Sequence, residues 1–300
     1  SSTHTTAHSF GAYLLDTLEL GKKWELTGGI RWDRFDATYN AVLYTYSSTG
    51  VLTVTYPHFV QPLDKPTWRS ALVYKPAQNG SVYFDYGTSF NPSAESLSLT
   101  QATAPTPPEE NETFEFGSKW ELERDRLSLR GALFRTNKQN AREPAPNDSS
   151  IDVLGGNQRV DGAEAVIQGH LTDRWELLSS YTYLHGEVVK SNAYPFAVGQ
   201  PLNNVPSNLF NLWTEYKLSH GIEVGGGGNF VDRRTANTAT LTPSTIIESA
   251  PGYWVFNAMA KYDVTKHVAV QVNVNNLLDR FYMDELHPGH VIPGPGASAL

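Results

Sequence analysis

The chain repeats one unit, in which two strand-like segments joined by a tight turn are followed by a long polar connection. Turn residues recur at steps of roughly 46 to 48 residues after a longer first step, and such a fixed period is the signature of a repeated structural unit. The sequence therefore predicts about twelve strands joined in pairs by tight turns. These turns are expected near residues 21–23, 78–80, 123–125, 172–174, 219–221 and 264–266.

The turn with the strongest local signal contains Asn79 followed by Gly80. An Asn-Gly pair is favoured at the centre of a type I′ turn, because both central residues of that turn need a positive φ. The sequence therefore predicts a two-residue hairpin loop with Asn79 and Gly80 at its centre.

The segment from Val268 to Val274 shows the alternation that the predicted strands share. Every second residue is valine, and Ala269, Gln271 and Asn273 lie between the valines. Successive side chains of a strand point to opposite faces, so one face is apolar and the other is mostly polar. A soluble sandwich could use such strands, and so could a membrane barrel with its apolar face toward lipid. The same alternation runs through residues 113–122, 127–133, 164–171, 210–218 and 254–263.

The long connections decide between these two architectures. Loops beyond about 12 to 15 residues are uncommon in compact soluble domains. Short turns at one rim and long loops at the other are typical of outer-membrane barrels. The fold class predicted is therefore all-β, a transmembrane antiparallel up-and-down β-barrel. The long connections are predicted at residues 37–66, 91–110, 139–158, 188–204 and 233–250.

Composition argues against several other functions. The formal net charge of −8 disfavours nucleic acid as a partner. Cysteine is absent, which removes disulfides and thiol nucleophiles. The close pairs His4 with His8 and His287 with His290 each lack the further ligands that a structural zinc site needs, so no metal site is predicted.

No catalytic motif of the common hydrolase, P-loop or metalloprotease type is present, so an enzyme is not expected. Glu109, Glu110 and Glu112 form an acidic cluster at the end of a predicted loop. We expect these carboxylates to be solvated, because they lie beside prolines.

With these segments in view, the chain resembles the C-terminal barrel portion of TonB-dependent siderophore receptors. Residues 272–282 are similar to that family's N-V-x-N-L-x-D-x-x-Y signature. Residues 11–16 and 26–33 resemble its G-x-Y-x-x-D and L-x-x-G-x-R-x-D hairpin, and residues 108–119 resemble an entry strand that starts with Pro-Glu. Residues 287–296 resemble the catecholate-receptor branch.

The resemblance implies that residues 1–300 form about 12 strands of a presumed 22-stranded barrel, with the plug domain absent from this chain. It implies a receptor in the bacterial outer membrane that takes up ferric siderophores. The TonB energy-transducing complex would act through the missing plug. No cofactor is expected, since the iron travels within the siderophore. Outer-membrane lipid is a further expected partner.

Ligand contacts are expected on the long-loop side. A ferric complex of the catecholate type is anionic and aromatic, so arginines and aromatic rings suit it. Loop arginines can equally pair with neighbouring acids or lipopolysaccharide, and tyrosines can belong to an interfacial girdle. The candidates are Arg142, Arg159, Arg233, Arg234, Tyr44, Tyr46, Tyr194 and Phe196.

Three alternatives stay open at this stage. A passive porin-like channel would share the barrel and lack the plug. A receptor for another large nutrient, such as cobalamin, would share the barrel and the energy coupling. A soluble β-protein such as a carbohydrate-active enzyme would need apolar faces packed on each other and a cleft with converging carboxylates.

Overall fold

The structure is a computed structural model that describes residues 2–92, 107–124, 126–145, 148–236, 247–287 and 290–300. Within these residues the chain is almost entirely antiparallel strand, with one short 3-10 turn at Pro195–Ala197. No helix in the described part is long and apolar enough to cross a membrane.

The strands are numbered here in chain order. They are β1 (Ser2–Leu20), β2 (Trp24–Tyr46), β3 (Leu52–Thr55), β4 (His58–Ala77), β5 (Gly80–Asn91), β6 (Glu109–Leu122), β7 (Leu127–Ala145), β8 (Asp148–His170), β9 (Trp175–Ser191), β10 (Asn208–Lys217), β11 (Ile222–Val231), β12 (Arg234–Thr235), β13 (Ser249–Ala250), β14 (Tyr253–Thr265), β15 (Val268–Asn275), β16 (Met283–His287), β17 (His290–Pro293) and β18 (Ser298–Ala299).

One meandering sheet contains most of these strands. Its order is β1-β2-β4-β5-β6-β7-β8-β9-β10-β11-β14-β15-β18, and β3 pairs with the end of β2. Among the described residues, the twelve long strands from β1 to β15 along this path form a continuous curved surface, called the wall below. The predicted count of about twelve strands is confirmed. β1 lies at one edge of the wall, and β15 with the short β18 lies at the other.

The six predicted tight turns are confirmed, with Asp125 of the third lying outside the described residues. All six lie at one rim because turns and long connections alternate along the meander. We call this the turn rim and the opposite one the loop rim. Two turns carry consecutive positive φ angles. These are Glu123 with Arg124 (51° and 57°) and His220 with Gly221 (64° and 75°).

The prediction of a type I′ turn centred on Asn79 and Gly80 is wrong. Ala77 pairs with Gly80, so the central residues are Gln78 and Asn79. Neither Asn79 nor Gly80 is among the residues with a positive φ. The register of β4 on β5 shifts between Tyr74 and Ala77, and this irregularity moves the turn by one position.

Two of the predicted long loops are wrong, because strands extend into them. β2 continues to Tyr46 and pairs with β4 as far as Asn40 opposite His58, so most of residues 37–66 is strand. β7 and β8 likewise pair through most of residues 139–158. Pairing between strands satisfies backbone N–H and C=O groups above the wall as well as within it. Polar side chains do not prevent this pairing. The other three predicted connections hold only short strand pieces in their described residues, and residues 93–106 and 237–246 of them lie outside the described part.

The two faces of the wall differ as the alternation predicts. Cross-strand partners share a face, so Phe116 lies beside Leu133 while Lys119 lies beside Arg130. Phe116 and Leu133 are 54% and 61% exposed, which is consistent with a lipid-facing surface rather than a packed core. We call the side of Phe116 the apolar face and the side of Lys119 the polar face.

Aromatic rings mark both edges of the apolar face. Near the turn rim, the rings of Trp24 and Tyr74 lie 4.5 Å apart. Toward the loop rim, Phe10 meets Trp32 at 6.1 Å. Trp24 and Trp32 are eight residues apart on β2, about 26 Å along a strand and about 20 Å in height at a tilt near 40°. This spacing matches the apolar band of a membrane barrel.

The polar face is packed through glycines. A Cβ at Gly117 would lie 2.3 Å from the ring of Tyr83, and one at Gly162 would lie 2.2 Å from the ring of Phe134. Each ring therefore lies flat across the neighbouring strand, and the space that it uses exists only because that strand carries glycine.

We predict that a cysteine at Ser48 of the full-length protein will react with a membrane-impermeant thiol reagent on intact cells. Ser48 lies at the loop rim, in the turn between β2 and β3, and is exposed. A cysteine at Asn79 is the matched control, because Asn79 is exposed at the turn rim. It should react only after the outer membrane is permeabilised. Equal labelling at both positions on intact cells would contradict this orientation.

Arginine at Val270 or Val272 should reduce folding into membranes, because both side chains lie on the apolar face. The cost is about 2–4 kcal/mol at the midplane and falls toward the rims, so Val272→Arg should cost more than Val270→Arg, which lies nearer the turn rim. Gln271→Arg is the matched control, since Gln271 lies on the polar face and donates to Asn273 at 2.8 Å. Folding yields in lipid vesicles would check this. Equal yields for the three variants would show that the faces are assigned wrongly.

Candidate ligand-binding site

The described connections at the loop rim lie above the wall. We call them the loop layer; it comprises residues 40–58, 107–109, 138–158, 188–207, 232–236, 247–252 and 276–297 where described. Three groups of buried side chains hold most of these connections, and the first two join parts of the chain that are far apart in sequence.

The first group centres on Glu109. Its side chain is buried, one carboxylate oxygen accepts the Arg142 backbone N–H at 3.1 Å, and the other meets Lys138 Nζ at 3.0 Å. The side chain of Asn140 donates to the Pro108 carbonyl at 3.2 Å. The β7–β8 hairpin is thereby fixed to the start of β6.

The β7–β8 hairpin is also tied to the connection after β9. Glu143 is buried and accepts the Ala193 backbone N–H at 3.4 Å. Val188 and Ala197 are buried beside this point, with Tyr194 and Leu202 packed against them. The connection after β9 is therefore held on the hairpin by one buried carboxylate, while the small apolar cluster packs the 3-10 turn at Pro195–Ala197 against the end of β9.

The second group centres on Arg234, which is only 7% exposed. Its Nη1 donates to Asn204 Oδ1 at 3.0 Å and to the Asp284 carbonyl at 2.8 Å, and its Nη2 donates to the Met283 carbonyl. The guanidinium also lies 5.8 Å from the centre of the Tyr253 ring. A single buried cation thus joins three connections of the loop layer.

The third group centres on Asn276, which is 3% exposed and has a φ of 48°. Its amide nitrogen donates to the carbonyls of Arg280 and Pro295 at 2.9 and 3.0 Å, and its amide oxygen accepts the Arg280 backbone N–H at 2.8 Å. Asp279 accepts the Ala297 backbone N–H at 2.9 Å. The asparagine and aspartate of the signature segment therefore build the turn after β15.

The tyrosine of the same segment packs at the loop rim. The Tyr282 ring lies 4.5 Å from the Tyr253 ring. A Cβ at Gly294 would lie 2.0 Å from Tyr282, so the ring crosses the chain where glycine leaves room. Burial, and then the Asp284 carboxylate, raises the pKa of the Tyr282 phenol above its usual range, so the ring stays neutral at physiological pH.

Four predicted ligand residues lie on exposed or outward positions. Tyr44 and Tyr46 follow the same alternation as the apolar face of β2 and lie on that side, where they are 54% and 68% exposed. Phe196 is 59% exposed. Arg233 is exposed, and within the described part of the chain its side chain makes no hydrogen bond or ion pair that would hold it.

The other four predicted ligand residues are engaged by the protein. Arg142 Nη2 donates to the Asn91 carbonyl at 3.4 Å, while its Nε is buried without a hydrogen bond among the described residues. Arg159 is ion-paired with Glu187 and lies 3.3 Å from Asp161. Tyr194 and Arg234 belong to the groups above. A ligand role at these positions would have to compete with the contacts described.

Sequence reasoning missed the anchoring residues Glu109 and Glu143. The expectation of a fully solvated acidic cluster is wrong for Glu109, which is 7% exposed and paired with Lys138. Glu110 is ion-paired with Lys65 at 2.5 Å. The partners lie 29 and 45 residues away, and no local pattern predicts them.

The polar face below the loop layer carries paired charges. Arg31 contacts Asp33 at 2.6 Å, and Tyr83 donates to Glu115 at 2.6 Å. Lys261 lies 3.4 Å from Glu223. Among the described residues, no group of three or more His, Asp or Glu side chains could hold a metal ion. The polar face is therefore suited to water or to a polar protein segment inside a barrel.

The family of the chain follows from comparison with known proteins. Residues 1–277 match the family described as TonB dependent receptor-like, beta-barrel. The chain belongs to this family, whose barrels lie in the outer membrane of Gram-negative bacteria. The transmembrane fold predicted from the alternation is confirmed.

Several relatives carry more specific descriptions. The "Probable TonB-dependent siderophore receptor PiuA" of Acinetobacter baumannii is 33% identical over 301 residues, which cover 95% of this chain and 38% of that protein. The "Catecholate siderophore receptor Fiu" of Escherichia coli K12 is 28% identical over 309 residues, which cover 94% of this chain and 40% of that protein. The chain thus spans about two fifths of the length of these relatives.

Solved structures agree with the fold. The crystal structure of PiuA from Acinetobacter baumannii superposes with a TM-score of 0.86 at 32% identity, covering 99% of this chain and 43% of that one. The closed form of Fiu from Escherichia coli K12 superposes with a TM-score of 0.85 at 25% identity, covering 99% and 44%.

We predict that Arg234→Met will loosen the loop layer without unfolding the wall. The variant leaves the carbonyls of Met283 and Asp284 without their donor, at a cost of about 1–3 kcal/mol for each unsatisfied group. Amide exchange in β16 should accelerate by roughly tenfold or more. Arg233→Met is the matched control and should leave this exchange unchanged. Equal exchange in both variants would contradict the role given to Arg234.

Proposed function

We propose that this chain forms the C-terminal part of the barrel of an outer-membrane receptor for ferric siderophores. A plug from outside residues 1–300 would couple it to TonB. The observation that carries the proposal is that the two rims of this barrel wall differ in the length and order of their connections. The turn rim is short, whereas the loop rim carries a layer held by Glu109, Arg234 and Asn276.

A fixed loop layer favours ligand binding because less conformational freedom is lost when a ligand binds. Buried anchors hold the connections, while Arg233 and Phe196 remain exposed on them. An exposed guanidinium supplies charge-assisted hydrogen bonds to an anionic complex, and an exposed ring supplies a flat apolar contact. These two side chains are the ligand contacts that we favour.

We infer that the siderophore is of the catecholate class. The description of Fiu as a catecholate siderophore receptor supports this class, as do residues 287–296, which resemble the catecholate branch. The "Metal-pseudopaline receptor CntO" of Pseudomonas aeruginosa is 27% identical over 297 residues, and it names a different metal complex. The test therefore has to include other metal complexes as ligands.

Uptake of radioactive iron separates the proposal from the alternatives. The full-length receptor should be produced in a strain without its own ferric-catecholate receptors. It should import iron from a ferric catecholate, and this uptake should stop when tonB is deleted. Uptake that persists without TonB would indicate the passive channel. Uptake of cobalamin or of another metal complex in place of the catecholate would overturn the substrate class.

Arg233→Ala should weaken ferric-catecholate binding by about tenfold or more, because a hydrogen bond to a charged group contributes about 1.5–3 kcal/mol. Arg174→Ala is the matched control, since Arg174 is exposed at the turn rim. Titration of the purified full-length receptor with the complex, followed by tryptophan quenching, measures both. Equal affinities for the two variants would remove Arg233 from the site.

A further inference from the structure

β11 contains four consecutive glycines, at residues 225–228. Gly226 pairs with Thr214 and Ala258, and its position in the alternation places it on the apolar face. Gly228 lies on the same face. Neither residue projects a side chain there, and the Phe256 ring lies across Gly228, so the groove between β10 and β14 is open along β11 at Gly226. Glycine within a strand often marks the close approach of another molecule.

The groove has a volume of about 770 Å³ and an apolar lining. Phe210 and Leu212 of β10 form one side, and Trp254 and Phe256 of β14 form the other. β9 and β15 flank these strands, so the groove lies within the wall and away from its edges.

The upper end of the groove is closed by the turn after β15. Leu277 and Leu278 line this end and are 51% and 68% exposed. The backbone N–H of Leu277 donates to the Phe256 carbonyl at 2.7 Å, and the buried Asn276 fixes the turn. Two leucines are thus held rigidly over the groove with most of their surface uncovered.

The position of the groove between the two rims indicates which lipids it faces. Trp254 contacts the rings of Phe210 and Phe230 at 5.9 and 5.1 Å, and this aromatic group belongs to the girdle nearer the loop rim. Gly226 and Gly228 lie below it, toward the middle of the apolar band. The loop rim is the outer one in the predicted orientation, so the groove faces the outer-leaflet acyl chains.

We propose that this groove retains one acyl chain of an outer-leaflet lipid, so that one lipid stays bound when the surrounding lipid is removed. The groove is lined by apolar side chains, which suits an acyl chain. It is continuous with the lipid-facing surface, and its rigid upper wall lowers the conformational cost of binding. The proposal rests on the placement of the barrel in the outer membrane and does not depend on the transported ligand.

A matched pair of glycine variants tests this site. A Cβ at Gly226 would meet only the Asn257 carbonyl, at 3.5 Å, which is an ordinary contact, so the side chain of Gly226→Leu would extend into the groove. Gly28 lies on the apolar face of β2 and a Cβ there would meet nothing within 4 Å, so Gly28→Leu is the control. Leu278→Asn removes part of the upper wall at an exposed position and serves if Gly226→Leu does not fold.

The measurement is native mass spectrometry of the full-length receptor, delipidated in detergent and titrated with a phospholipid that carries two myristoyl chains. The wild-type receptor and Gly28→Leu should each retain one more lipid than Gly226→Leu or Leu278→Asn, with occupancy of that lipid reduced at least tenfold in the latter two. Equal retention in all four proteins would overturn the proposal. So would a receptor dimer that Gly226→Leu abolishes, since a second copy would then occupy the groove.

Discussion

The structure depends on one constraint, which is that no backbone N–H or C=O can remain unpaired in the hydrocarbon of a bilayer. A wall of antiparallel strands meets this constraint only when neighbouring strands pair without interruption. β6 and β7 do so from Glu110 opposite Gln139 to Leu122 opposite Leu127. In the described part of the wall, the shifts of register lie toward the rims. They occur near Tyr74, Lys138, Asn157 and Asp263. Irregular pairing is thus confined to places that water can reach.

Outside the hydrocarbon region, side chains supply hydrogen bonds to backbone groups that strand pairing no longer satisfies. At the loop rim the strands either extend as hairpins or give way to irregular chain whose carbonyls need donors. Arg234 and Asn276 supply those donors to chain segments that lie up to 50 residues apart. The same side chains therefore satisfy the backbone and hold exposed groups such as Arg233 in fixed positions. A receptor needs both, because a surface that is already ordered binds its ligand at a lower entropic cost.

The parts of the fold that the sequence predicts are those governed by local periodicity. The alternation of Val268 to Val274 assigns both faces of β15, and the recurring turn residues locate the six hairpins. Turn geometry was predicted less well, because the register shift near Tyr74 displaces the turn from Asn79 and Gly80. The extension of β2 and β7 was missed because polar residues can form strands as long as a partner strand is present.

The anchors of the loop layer could not be predicted from pattern. Glu109 and Arg234 occur in polar stretches that look alike, and their burial depends on partners brought close by the meander. For the signature segment, the resemblance located Asn276 and Tyr282, while the structure supplies their physical roles in the turn and the packing.

The most direct test of this account is a spin-label scan of β7 from Ser128 to Leu133 in the full-length receptor, reconstituted in lipid vesicles. Labels at 129, 131 and 133 should be most accessible to oxygen dissolved in lipid. Labels at 128, 130 and 132 should show lower oxygen accessibility, because they face the polar interior. An alternation with this period and phase is the expected result. Accessibility that does not alternate, or that alternates with the opposite phase, would contradict the membrane wall described here.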